Sequence, residues 1–185
     1  MELLELIHTR HSIPKVKADP IPKALIEKLL SAAVQAPNHH RVRPWRFVVL
    51  QGKARDRLGE LMADSFKNRN PDALEEVLGI ERFKPLRAPL LIAVGVDKPS
   101  EPKVLEIENV CAAAAACQNL LLAAHALGLG AMWRTGPAAL DPQVKAFLGF
   151  APDQHLIGFL YIGYLDGEGK YPERPSFEDR TVWME

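Results

Sequence analysis

Arg10-His11-Ser12 sets a guanidinium, an imidazole and a hydroxyl within three residues. Such a set suits a phosphate, because Arg binds its oxygens through two parallel N–H donors and Ser adds a hydroxyl. The same residues also serve simply to cap and solvate a helix end. Gln35-Ala36-Pro37-Asn38-His39-His40 groups neutral hydrogen-bonding side chains around a proline that fixes the backbone. It can hold a polar heteroaromatic edge or be an ordinary surface loop. Trp133-Arg134-Thr135-Gly136 follows an apolar run, and an Arg carried out of a buried strand needs an anionic or aromatic partner. Cys111 and Cys117 fall on one helical stretch, ~9 Å apart along its axis and beyond disulfide reach. They read as small buried core residues, with a catalytic thiol as the alternative. Two cysteines, and histidines without HxxxH or HExxH spacing, predict no metal site.

These groups must be positioned by the stretch from Val104 to Gly136. Its first two-thirds predict one long helix with almost no polar face, including five consecutive alanines from Ala112 to Ala116. A helix apolar all round is a buried helix or a membrane span. Gln118, Asn119 and His125 interrupt the run, and no stretch reaches ~18 uninterrupted apolar residues, which favours a buried central helix. A single small domain would hardly surround it, so a subunit interface is expected along one side. Gly128 stops the helix as a C-cap, and a short strand then delivers Trp133 to Thr135.

The remaining elements follow from apolar spacing and breakers. Leu3, Leu4, Leu6 and Ile7 predict a short amphipathic helix, and Lys23–Gln35 a second one. Pro14, Pro20 and Pro22 forbid regular structure between them. Trp45–Leu50 reads as a strand, and Ala54 to Leu78 as one or two exposed, charged helices broken at Asn70-Pro71. The wholly apolar Pro89–Val96 is a strand for the centre of a sheet. Asp141-Pro142 opens a short helix, His155–Leu165 is another buried strand, and the apolar Thr181-Val182-Trp183-Met184 is expected to dock onto something. Helices and strands mix without βαβ alternation, which predicts an α+β fold over a single domain, residues 1–185.

A hydrophobic share of 48% supplies a real core, while a formal net charge of zero gives no electrostatic sign of nucleic acid or anionic membranes as partners. The opening MELLELIHTR has neither the basic start nor the apolar core of a signal peptide, so a cytoplasmic protein without membrane attachment is expected. No GxGxxG or GxxxxGK[ST] marks a dinucleotide or P-loop site.

Taken in order, Arg10-His11-Ser12, Ala36-Pro37-Asn38-His39, the PWRFVV of Pro44–Val49, the alanine-rich helix, the GLGAMWRTG of Gly128–Gly136 and Arg174-Pro175-Ser176-Phe177-Glu178-Asp179 resemble the FMN-dependent nitroreductase family. The likeness is to its short branch of minimal subunits, and it covers nearly the whole chain. It implies a mostly antiparallel central sheet flanked by helices, and an intertwined homodimer with FMN at the subunit interface. Arg10, His11 and Ser12 match the family's grip on the FMN phosphate and ribityl chain. Gln35 and His39 match positions reaching the partner subunit's flavin, and Trp133, Arg134 and Thr135 match the segment along the isoalloxazine. Arg174 looks like a late phosphate-binding Arg.

The implied activity is an oxidoreductase in which flavin N5 takes a hydride from NAD(P)H and passes electrons, in a ping-pong sequence, to nitroaromatics, quinones or related small acceptors. A flavin carrier or regulatory module without turnover is the alternative. No catalytic side chain is needed, since the flavin carries the chemistry. Where many members have Lys or Arg two residues after the Ser, this chain has Pro14, so the cation near the flavin's pyrimidine edge must be Lys15 or Arg134.

Overall fold

The structure is a computed structural model that describes residues 2–167 and 173–185. Four strands, β1 (Trp45–Gln51), β2 (Leu90–Val96), β3 (Leu129–Arg134) and β4 (His155–Tyr164), form one sheet in the order β1-β2-β4-β3. Every pairing is antiparallel. The uniformly apolar β2 is buried along its whole length near the centre, as its composition predicts.

Helices cover both faces of this sheet. On one lie α2 (Lys23–Ala33) and α5 (Glu106–Ala126), whose Leu29, Ala113, Ala116, Cys117 and Leu120 meet Leu90, Ile92, Val94, Leu160 and Ile162. On the other lie α3 (Lys53–Arg69) and the short α6 (Pro137–Leu140) and α7 (Pro142–Phe147), over Leu91, Ala93, Phe159 and Tyr161. α4 (Glu75–Phe83) packs against α3, and α1 (Leu3–Thr9) lies on α5. The α+β class and the antiparallel sheet agree with the sequence reading.

Several expectations are corrected. α3 is not simply an exposed helix, because Leu58, Met62, Ala63 and Ser65 are buried beneath it. α2 stops at Ala33 instead of Gln35: Gln35 and Ala36 bond back to Ala32 and Ala33 in tighter i→i+3 turns before Pro37, which disfavours helix in the residue ahead of it. The segment after α1 is not structureless either. The Ile13 N–H donates to the Ala131 carbonyl at 2.9 Å, and Val16 pairs with Leu165. Gly130 and Gly163 sit opposite each other in β3 and β4, and Ile13 and Val16 fill the trough they leave, so that a Cβ at either glycine would lie within 3 Å of Val16. Residues 3–17 therefore wrap around the edge strand β3.

By length and composition α5 could cross a membrane, yet it is the core helix of this domain. It is not covered all round. Ile107, Cys111 and Gln118 are exposed and Ala114 and Leu122 half-buried, at the spacing of one helical face. Cys111 is thereby not the core residue its helix suggested, while Cys117 is. Among the described residues the C-terminal Val182, Trp183 and Met184 have nothing to dock on, remaining 80–94% exposed.

Candidate active site

Arg10 and Arg174, far apart in sequence, are brought together, with Arg174 Nη2 donating to the Arg10 carbonyl at 3.0 Å. Neither guanidinium has a carboxylate partner among the described residues. Burial lowers the Arg10 pKa and the Arg174 charge lowers it further. Two adjacent cations without a counter-ion form a place for an anion with several acceptor oxygens. His11 is half-buried and its Nδ1–H donates to the Thr9 carbonyl at 2.9 Å, while Ser12 is exposed beside it.

Trp133, Arg134 and Thr135 continue along the same edge. From Ala131, where Ile13 is bonded, Thr135 is four residues on, or ~13 Å. Their placement depends on an irregularity in β4. Val94 pairs with Gly158 and Gly95 with Leu156, so Ile157 is an extra residue in the ladder, a β-bulge. The Ile157 carbonyl accepts the Trp133 indole N–H at 3.1 Å, which fixes the ring plane. Gly158 has φ +143°, and a Cβ there would lie 2.5 Å from both the Arg134 carbonyl and Trp133 Nε1. The bulge also changes which face each residue of β4 meets: Leu156 and Phe159 share one side although they are three positions apart.

Beyond Thr135, α6 and α7 are pinned by Asp141, which is 4% exposed. Its carboxylate accepts from Ser65 Oγ, from Arg69 Nη1 at 2.5 Å and from the backbone N–H of Gln143 at 2.9 Å. Burial pushes its pKa up, but these donors outweigh burial and leave it below the usual carboxylate value.

Gln35 and His39 are elsewhere. His39, in a single 3-10 turn (His39–Arg41), lies with Pro37 and Asn38 against Glu108, Cys111, Ala112 and Ala115 of α5, lining a cleft of about 420 Å³. His39 Nε2 is 3.7 Å from Glu108 Oε1. Gln35 does not line that cleft: it is exposed beside Ala24, Lys28 and Ser31 of α2 and donates to the Ser31 carbonyl at 3.3 Å. Thr9, by contrast, contacts His125, and Glu108 and His125 are ~25 Å apart along α5. A second cleft of about 680 Å³ is lined by Thr135, Gly136, Leu140 and, from α5, Glu106, Ile107 and Val110. The two clefts flank the exposed face of α5, one on each side.

Residues 7–164 match the model of the nitroreductase family. The chain belongs to this family. It is 31% identical over 164 residues to YdjA of Escherichia coli K12, named as an NAD(P)H nitroreductase, a match covering 88% of each chain. Its fold is similar to that of a nitroreductase-like protein from Bacillus cereus, with a TM-score of 0.87, 25% identity and coverage of 100% and 97%. A Desulfovibrio desulfuricans protein, described as a nitroreductase and solved with FMN, gives 0.72 at 26% identity, with coverage of 93% and 91%.

Within this nitroreductase fold, two features escaped sequence reasoning. Gly158 inside the apolar HLIGFLYIGYL was a signal for a bulge, since a strand glycine often marks one. The cluster of Ser65, Arg69 and Asp141 had no local signal, because Asp141 lies more than 70 positions after the other two.

The thiols carry a prediction. Burial pushes the Cys117 thiol up to about 12, so its thiolate is scarce at neutral pH. Iodoacetamide on the native protein should leave Cys117 unmodified, with full labelling only after denaturation. Mass mapping that finds Cys117 alkylated as fast as a free thiol would contradict a purely structural role.

Proposed function

We propose that the protein is an FMN-dependent NAD(P)H oxidoreductase, with small nitroaromatic, quinone or related molecules as acceptors and a ping-pong order of substrates. The observation that carries this reading is the Arg10–Arg174 pair, without a counter-ion among the described residues, beside a strand edge ending in Trp133-Arg134-Thr135. One such pair suits one terminal phosphate, and the chain has no Rossmann-type turn for a pyrophosphate, which favours FMN over FAD. Bound FMN supplies hydride and electron transfer between NAD(P)H and the acceptor. Arg10, Ser12 and Arg174 hold its phosphate end, with His11 supporting the Arg10 turn. Trp133 and Thr135 orient the ring system. Of the two cations suggested for its pyrimidine edge, Lys15 is committed to Asp166 at 2.8 Å and 84% exposed. Arg134, over the Tyr161 ring at 5.7 Å and without a carboxylate partner among the described residues, is therefore the candidate.

The reading includes a homodimer with shared sites. Ile107, Leu140, Leu3 and Leu4 are each at least 64% exposed, as is the apolar tail, and a symmetric partner gives them a place to bury. A two-fold axis across the exposed face of α5 brings the cleft holding Thr135 in one chain toward the cleft holding His39 in the other, with Gln35 of that other chain reaching the same flavin. The cytoplasm, where NADH and NADPH are available, is the compartment this activity requires.

The test is anaerobic stopped-flow reduction of the purified flavoprotein by NADH and by NADPH, after chromatographic identification of the released flavin. Bleaching of bound FMN by either donor is the expected result. Bound flavin that neither donor reduces would overturn the enzyme and leave a flavin-binding module.

A further inference from the structure

Beneath Arg10 lies a contact that the proposed chemistry does not use. Thr9 Oγ1 is 2.7 Å from the Glu5 carbonyl and 3.0 Å from His125 Nε2, which comes from the last turn of α5. A hydroxyl has a single proton, and a carbonyl can only accept. The Thr9 proton therefore goes to Glu5, and Thr9 Oγ1 accepts from His125. Nε2 must carry a hydrogen, as it does in one neutral tautomer and in the imidazolium alike. A proton added at Nδ1 thus brings a positive charge without breaking the bond to Thr9.

Among the described residues, the charges acting on His125 are all of one sign. It is half-buried, burial lowers its pKa, and His11 and Arg10 lower it further. Among the described residues, α2 and β3, which also pack on α5, direct no charge at it. Arg174 adds a second guanidinium at the Arg10 backbone. An anion seated in this cluster removes the penalty on the imidazolium, so binding and protonation favour each other.

We propose that His125 is a positioning residue of the Arg10–Arg174 anion site: its Nε2–H holds Thr9, and hence the Arg10 turn, while Nδ1 takes up a proton when a phosphate monoester binds. The inference rests on the reading of Arg10 and Arg174 as the FMN phosphate anchor. The sign follows directly. Occupancy raises the His125 pKa, so affinity gains an increment as pH falls through its titration.

The probe is FMN titrated into apoprotein, followed by flavin fluorescence, for wild type and His125→Gln. Glutamine keeps an N–H for Thr9 but takes up no proton. The phosphate group's own titration near pH 6 acts on both proteins alike, so the ratio of their dissociation constants isolates His125. The ratio should approach one near pH 8 and favour wild type by about three- to fivefold near pH 5.5, as expected for one charge close to a phosphate. A ratio that stays constant overturns the inference. In wild type alone, the NMR titration midpoint of the His125 ring should rise on saturation with FMN but not with riboflavin, which lacks the phosphate, and an unchanged midpoint with FMN is equally fatal. Arg10→Ala separates the two readings. If it binds FMN as tightly as wild type, the anchor itself is wrong. If it weakens FMN while the His125→Gln ratio stays flat, only the role of His125 falls.

Discussion

Replacing Gly158 with alanine is expected to unfold the protein at a markedly lower temperature and to strip it of FMN. Two costs coincide there. The backbone at φ +143° is one that only glycine adopts easily, and the new Cβ would press on the Arg134 carbonyl and Trp133 Nε1 at 2.5 Å and on Thr135 Cγ2 at 2.9 Å. Backbone strain and overpacking each cost about 1–3 kcal/mol. A loss of at least about 2 kcal/mol corresponds to a fall in Tm of roughly 4–8 °C for a chain of this size. The atoms that must move are those of the segment proposed to orient the flavin, so flavin content should fall more than stability alone explains. Gly149→Ala is the matched comparison: its φ is +81°, but no atom lies within 4 Å of an added Cβ. It should show the backbone cost and keep its flavin. Equal flavin loss in both variants, or none in Gly158→Ala, would disconnect the β4 bulge from the site.

Mixing two crippled proteins should restore activity to about a quarter of all sites. Arg10→Ala removes charge-assisted hydrogen bonds worth about 1.5–3 kcal/mol each, which weakens FMN roughly tenfold or more. His39→Ala removes the proposed contribution from the partner. In this chain Arg10 adjoins the His125 end of α5 and His39 adjoins Glu108, ~25 Å away along the helix. In a mixed dimer one site collects both lesions and the other has none. Random exchange makes about half the dimers mixed, which leaves about a quarter of the sites intact. FMN retention and NADH-driven turnover report the recovery, and native mass spectrometry reports exchange. Complete exchange with no recovery would mean that Arg10 and His39 do not meet across a subunit interface.

Much was legible because its cause is local. The alanine run and Gly128 determine α5 and its end, the unbroken apolar β2 determines a central strand, and Asp141-Pro142 determines the start of α7, where Asp141 accepts from Gln143 and Val144 as a cap. The family, too, was written in the order of short motifs. Uniform apolarity, however, has no direction. HLIGFLYIGYL is consistent with either face inward at every position, and only the mismatch between β4 and β2 at Gly95 decides that Ile157 is extra and that its carbonyl is left for Trp133. Likewise the alanine run predicts a helix that one small domain would hardly surround, but not which face is left open; packing on a single sheet and α2 decides that it is the face of Ile107, Cys111 and Gln118. Cys111 and Cys117, alike in sequence, are separated by that geometry alone. The meeting of Arg10 with Arg174, and of Thr9 with His125, joins residues more than a hundred positions apart. Spacing along a chain registers the period of each element, but which elements lie against each other is decided by the packing of the whole core.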